Sequence, residues 1–291
     1  PVAGKLYTLM SQAVAQHADP AIYYPIDQKG KAMPVFNTLA DRSEEMTEWR
    51  RTLHAHPELG FEEQWTADFI AEKLESFGVE VHRGLATTGI VGVIRGQGDS
   101  NRMIGLRCDI DALPMTEENS FDHVSTQPGR MHACGHDGHT TMLLGAARYL
   151  AETRNFDGTA RYVRRETGAF IERQLGHMAE RIAAAHDCSA EMNWEPGYPP
   201  TINHVDEAER AAEAARAVIG PDSVVYDAPP SMASEDFSYM LEQRPGAYIW
   251  LGAGEGGEGS MLHNTRYDFN DELLPMGSSY WVQLVESEMP R

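Results

Sequence analysis

Basic residues are scarce in this chain: 24 Lys and Arg stand against 44 Asp and Glu, a net charge of −20. A surface that holds nucleic-acid phosphates needs clustered Lys and Arg, so no nucleic-acid partner is expected. Cysteine is rarer still. Cys108, Cys134 and Cys188 are too few and too irregularly spaced for a disulfide framework. No apolar run is long enough to span a bilayer and no signal-like segment opens the sequence, so the expected place is the cytoplasm, with no membrane partner. No internal repeat is visible. The glycine-rich stretch 254–259 lacks the Lys and Ser/Thr of a phosphate-binding loop, and Glu255 and Glu258 would repel phosphate, so it reads as a connection.

The 291 residues suffice for one large domain or two ordinary ones with real cores. With 42% hydrophobic and 23% charged residues, the composition is that of a soluble globular protein. Residues 1–32 look unlike the rest: 6–14 could form a short amphipathic helix, and Asp19-Pro20 and Tyr24-Pro25 punctuate a loop-rich stretch before a more natural start at Met33-Pro34. Beyond it, Leu39, Met46, Trp49 and Leu53 recur at core-facing intervals and predict a helix over 41–56. A second helix is expected over 62–77, with Trp65, Phe69, Ile70 and Leu74 inward and Gly78 as its stop. Strands are expected over 79–82, 89–95 and 102–110, and a helix over 140–153. Further on, the pattern predicts a strand over 161–165, a helix over 166–186 and a strand over 189–194. It continues with a helix over 206–219, a short strand over 224–226, a helix over 234–241 capped by Ser234, a strand over 247–252 and a helix over 273–285. Such alternation predicts an α/β fold, a mixed sheet covered by helices, with ligands gathering beyond strand ends.

The densest chemistry lies in Met131-His132-Ala133-Cys134-Gly135-His136-Asp137-Gly138-His139. Cys134 and His136 sit two apart, and in an extended or turning segment both can aim at one ion, with Gly135 and Gly138 letting the backbone pass close. Thiolate and imidazole suit zinc and other borderline divalent metals. Histidines before a helix can equally be caps or surface residues, and a cysteine is often a small buried hydrophobe. Asp109 and Asp111 end an apolar strand; they are either a solvated strand end or carboxylates that orient a ligand histidine. His263 follows an apolar strand and a loop. Ser234-Glu235-Asp236-Phe237 reads at least as well as a helix start. A hydrolytic site also needs an open coordination position and a base for the bound water. Cys134, His136 and His263 supply up to three ligands.

Four motifs occur in one order: Leu53-His54-Ala55-His56-Pro57-Glu58-Leu59-Gly60-Phe61-Glu62-Glu63, Arg107-Cys108-Asp109-Ile110-Asp111-Ala112-Leu113-Pro114, Cys134-Gly135-His136-Asp137-Gly138-His139 and Leu262-His263-Asn264. Together they resemble the M20 metallopeptidases, and more closely the amidohydrolase branch of hippurate hydrolases, N-acyl amino acid amidohydrolases and auxin-conjugate hydrolases. The resemblance implies an α/β catalytic domain carrying an inserted α+β lid. The implied division is an extension of unknown role (1–32), a first catalytic part (33–160), a partial lid and dimerisation region (161–200) and a second catalytic part (201–291). It implies hydrolysis of an amide in an N-acyl amino acid or similar small conjugate, and a homo-oligomer. It implies two divalent ions, Mn²⁺ or Zn²⁺, with Cys134 as the bridge, His136 and His263 as terminal ligands and Asp111 as the orienter.

The sequence also departs from that pattern. Family members follow the Asp-Gly-Thr turn with an apolar strand and a Glu-Glu pair, one Glu the general base and the next a ligand, then a further ligand histidine and a Gly-His-Gly segment of the lid. Here Asp157-Gly158-Thr159 runs straight into Ala160-Arg161-Tyr162-Val163, as if two Gly-Thr sites had been joined. Glu117, Glu118 and Glu166 do not replace the pair by motif, and His177, His186 and His204 match no ligand position. The general base is therefore unassigned, and one ion or none is an alternative to two. A lost base typically costs ~10² to 10⁴-fold in rate. An interrupted sheet would also expose an edge able to pair with another chain. Two readings follow: a metal-dependent amidohydrolase, or a non-catalytic binding or assembly protein that keeps a partial metal site.

Overall fold

The computed structural model describes residues 4–12, 36–98, 100, 102–157, 198–226, 228, 235–252 and 261–290. Strand β1 (Gly4–Gln12) comes first in the chain. Helix α1 (Asn37–Ala40) leads into α2 (Ser43–Ala55), which buries Met46, Trp49, Arg50, Leu53 and His54 along one stripe. Glu44 and Glu45 occupy its first turn, where the helix dipole favours carboxylates. Helix α3 (Gln64–Ser76) buries Thr66, Ile70, Ala71 and Leu74 and stops before Gly78, whose φ of 73° is left-handed. Strands β2 (Glu80–Leu85) and β3 (Gly89–Val93) form an antiparallel pair of their own. Strand β4 (Met103–Arg107) returns to the main sheet, and α4 (His136–Thr153) follows. After residue 198 come α5 (Val205–Ile219), a single 3₁₀ turn (Pro221–Ser223), α6 (Ser238–Leu241), β5 (Gly246–Gly252) and α7 (Leu273–Glu288).

The main sheet has the order β4-β1-β5 and is parallel throughout. Thr8 of β1 stands opposite Arg107 on one side and Tyr248 on the other. The outer side of β5 is covered: the Asn203 amide donates to the Tyr248 carbonyl at 2.8 Å and accepts from its N–H at 2.7 Å, and His204 N–H donates to the Gly246 carbonyl at 3.1 Å. A paired edge of this kind is closed to further strands.

The core lies where α4 and α7 cross beside α2. Met142, Leu144, Ala146 and Leu150 meet Leu274, Trp281, Val282 and Val285, all nearly inaccessible. Gly145 permits the approach: a Cβ there would stand 2.6 Å from Ser278 Oγ and 2.8 Å from Met46 Cε. Ser278 Oγ in turn donates to the Met142 carbonyl at 2.7 Å, which satisfies a hydroxyl in an otherwise apolar contact.

Several expectations change. The helix expected over 6–14 is the strand Gly4–Gln12 as far as the described residues reach, because its pairing partners lie far along the chain. That strand also fills the space between β4 and β5, where an interrupted sheet was expected to offer an edge. Residues 224–226 form no strand. Of the helix expected over 234–241, Ser234 lies outside the described residues, and from Glu235 on only Ser238–Leu241 is helical. Trp65 does not face inward; it is 37% exposed and stacks on His56 at 4.3 Å. The elements expected over 161–165, 166–186 and 189–194, hence most of the lid region, and the 254–259 loop lie outside the described residues. Among the described residues no helix is long and apolar enough to cross a membrane.

Candidate metal centre

Beyond the C-terminal end of β4 the chain runs through Cys108-Asp109-Ile110-Asp111 and is then fastened. Ala112 N–H donates to the Glu58 carbonyl at 2.8 Å, and Leu113 and Met131 exchange backbone hydrogen bonds at 2.9 and 3.0 Å. That pairing sets His132, Ala133 and Cys134 beside the strand end. Gly135 adopts φ 79° and ψ 17°, a left-handed turn that glycine enters without steric cost, and α4 begins at once with His136. The helix thus starts four residues earlier than expected, and His136 and His139 belong to its first turn. His263 also has a left-handed backbone, φ 62°, and its N–H donates to the Ala133 carbonyl at 2.8 Å. Residues 134 and 263, remote in sequence, are therefore neighbours, although the His263 side chain is exposed.

Asp111 meets His136 directly. His136 Nδ1 lies 2.9 Å from the Asp111 carbonyl and 3.0 Å from its Oδ1. Burial opposes a charge on His136, but the hydrogen bond it donates to Asp111 and the charges of Asp109 and Asp111 override it and push the pKa up to about 9. With Nδ1 engaged, Nε2 is the ring atom left to face an ion. Burial, with the negative charges of Asp111, Asp109, Asp137 and Glu235, pushes the Cys134 thiol up to about 12. A thiol surrounded by carboxylates gains from a cation, which would favour its thiolate. Cys108 is pushed to about 12 by burial as well, its Sγ 3.8 Å from Thr140 Oγ1, so its thiol stays protonated at neutral pH.

The neighbourhood contains groups that motif reading left without roles. Arg107 gathers Asp109, Glu235 (3.0 Å) and Asp236 (2.7 Å), tying the end of β4 to the segment before α6. Asp109 thus faces an arginine, while Asp111 faces the histidine. Behind α4, Asp137 Oδ2 bonds His54 Nδ1 at 2.8 Å, and Glu117 Oε1 lies 3.1 Å from His54 Nε2. Glu117 also accepts from Asn119 and from Ser125 N–H, so its oxygens are engaged. Arg50, fully buried, reaches Asp271, Asp268 and Asp137. His132 is buried beside these groups with neither ring nitrogen hydrogen-bonded; burial lowers its pKa to about 4 and keeps it neutral. His204, matched to no ligand position, precedes α5 and accepts from Gly246 N–H at 3.3 Å. His177, His186 and Glu166 lie outside the described residues. The sequence signal for the buried network was the His54–Glu63 motif, whose pattern says nothing about partners.

The donor types and the surplus negative charge suit a divalent cation. The set is incomplete, however: among the described residues no three His, Cys, Asp or Glu side chains stand together as a metal-holding group.

Residues 105–287 match the sequence profile of Peptidase family M20/M25/M40. The chain belongs to that family. Within M20, it is 26% identical over 383 aligned positions to the hippurate hydrolase of Campylobacter jejuni, which covers 87% of this chain and 99% of the relative. That alignment is longer than the 291 residues available here, so the relative carries a stretch with no counterpart in this chain. Against the N-acyl-L-amino acid amidohydrolase of Geobacillus stearothermophilus the identity is 51% over 108 residues, 37% of this chain and 29% of the relative. Among solved structures, the YXEP protein of Bacillus subtilis, described as a dinuclear metal-binding M20 peptidase, superposes with a TM-score of 0.72 at 22% identity over 84% of this chain and 98% of its own. At that identity the likeness carries the M20 fold.

Proposed function

We propose that this M20 protein hydrolyses the amide bond of N-acyl amino acids or similar small conjugates with the help of a divalent cation. The observation that carries the reading is the Asp111–His136 contact beside Cys134, at the strand end where residue 263 is also fastened. Cys134, His136 and His263 are the residues that would hold the cation, Mn²⁺ or Zn²⁺. Such an ion, when bound, polarises an amide carbonyl and lowers the pKa of water. Asp111 keeps the proton of His136 on Nδ1 and so fixes which nitrogen faces the ion. Arg107 pairs with Asp109 and Glu235, whose side chains are largely enclosed. The general base is unassigned by motif, and an enzyme without one would turn over ~10² to 10⁴-fold more slowly than one that has it. The reading includes a cytoplasmic home, which the free Cys108 and Cys134 suit, and self-association.

A second reading has an observation of its own: three ligands do not assemble among the described residues. It makes the chain a binding or assembly protein with a partial metal site. The two separate on a panel of N-acyl amino acids, hippurate included, with Mn²⁺ or Zn²⁺ added. Hydrolysis that disappears in Cys134→Ala supports the enzyme. A folded protein inactive with every metal and substrate supports the second reading.

A further inference from the structure

The slot between β4 and β5 is an unusual place for the strand that occupies it. In the described sheet the two flanking strands, Met103–Arg107 and Gly246–Gly252, do not pair with each other. Both pair with Gly4–Gln12, which precedes every other described element. Its register is continuous on both sides, Gly4 to Thr8 along Met103 to Arg107 and Leu6 to Gln12 along Gly246 to Gly252. A strand in this position hydrogen-bonds on both edges. Without it, two rows of backbone donors and acceptors would lie open at the centre of the sheet, which is costly in a buried layer. β1 also outruns β4: Leu9 to Gln12 pair only with Ile249 to Gly252, past Arg107 and on the side where Cys108–Asp111 begin.

We propose that residues 4–12 are a self-donated strand that completes the catalytic-domain sheet, and that the β4–β5 slot is a strand-acceptor site for an extended segment running parallel to both. The occupant is the chain's own N-terminal segment, so residues 1–32 contain a structural part of the domain rather than an appendage. Recognition is main-chain pairing in the manner of donor-strand complementation, here within one chain.

Hydrogen exchange on the unaltered full chain tests this. Amides within residues 4–12 should exchange at least ~10²-fold more slowly than in an unstructured peptide, in step with Gly246–Gly252. Exchange at the free-peptide rate overturns the proposal. Tyr7→Pro is the companion variant, because Tyr7 stands opposite both Leu106 and Ala247. Proline cannot donate to a ladder, so Tm should fall by roughly 5 °C or more, or the cooperative transition should be lost; an unchanged Tm overturns the proposal. Light scattering with exchange at the same concentrations assigns the donor. A monomer with residues 4–12 protected supports self-donation. Protection that vanishes when a dimer is diluted to monomer overturns it in favour of a strand from a second copy.

Discussion

Asp137→Asn keeps the side-chain shape and removes one charge from an enclosed ion network. The side chains of Asp137, Arg50 and His54 all have 0% exposure. Asp137 Oδ2 accepts from His54 Nδ1 at 2.8 Å and lies 3.4 Å from an Arg50 guanidinium nitrogen. Removing one partner of a buried ionic group leaves the others uncompensated, at a cost of about 3 to 5 kcal/mol. For a chain of this size each kcal/mol lowers Tm by roughly 2 to 4 °C, so Tm should drop by about 6 to 20 °C. Thermal and urea unfolding followed by circular dichroism read the change. The His54 pKa should drop as well. Burial lowers it in the unaltered protein, and the bonds to Asp137 and Glu117 outweigh that and raise it to about 9. An NMR titration of His54 measures the fall. A variant within about 2 °C of the parent, with the His54 titration unmoved, would refute the reasoning, since surface changes stay within about 0.5 kcal/mol.

Other outcomes follow from the same geometry. His54 binds its proton more tightly folded than unfolded, so its contribution is complete below about pH 6.5 and disappears as pH rises through about 9; urea midpoints between pH 6 and 10 should decline across that window. Asp137 has the opposite sign: its folded pKa is depressed, so its contribution is lost as acid is added below about pH 4. Asp111→Ala should weaken Zn²⁺ binding about 10 to 100-fold by calorimetry while leaving the fold intact, because it removes the carboxylate that orients His136. Gly145→Ala should destabilise by about 1 to 3 kcal/mol in urea unfolding, because the new methyl meets Ser278 and Met46, both fully enclosed.

The long helices were legible because each carries its own apolar period. The stripe through Met46, Trp49 and Leu53 and the run from Leu273 to Val285 need no knowledge of their partners to be recognised. β4 and β5 were legible as short apolar runs between turn signals. β1 was not: Leu6-Tyr7-Thr8-Leu9-Met10 suits either period, and its partners at 103–107 and 246–252 are invisible to a local window. Trp65 misled for a similar reason, since helical spacing cannot tell a core contact from a stack on a half-buried His56. At the site, the motif order singled out Asp111, Cys134, His136 and His263; the structure sets Asp111 against His136 and fastens the backbone of residue 263 to Ala133, next to Cys134. The start of α4 was misplaced because the left-handed Gly135 lets a helix begin inside the ligand cluster. Arg107, with its three carboxylates, escaped notice because an ion network is a property of folded neighbours rather than of spacing.

Cobalt(II) titration of the reduced full chain tests the cation site most directly. The account predicts one near-ultraviolet thiolate-to-cobalt charge-transfer band per bound ion, abolished in Cys134→Ser and retained in Cys108→Ser. No band at saturating cobalt, or a band that survives Cys134→Ser, would contradict it.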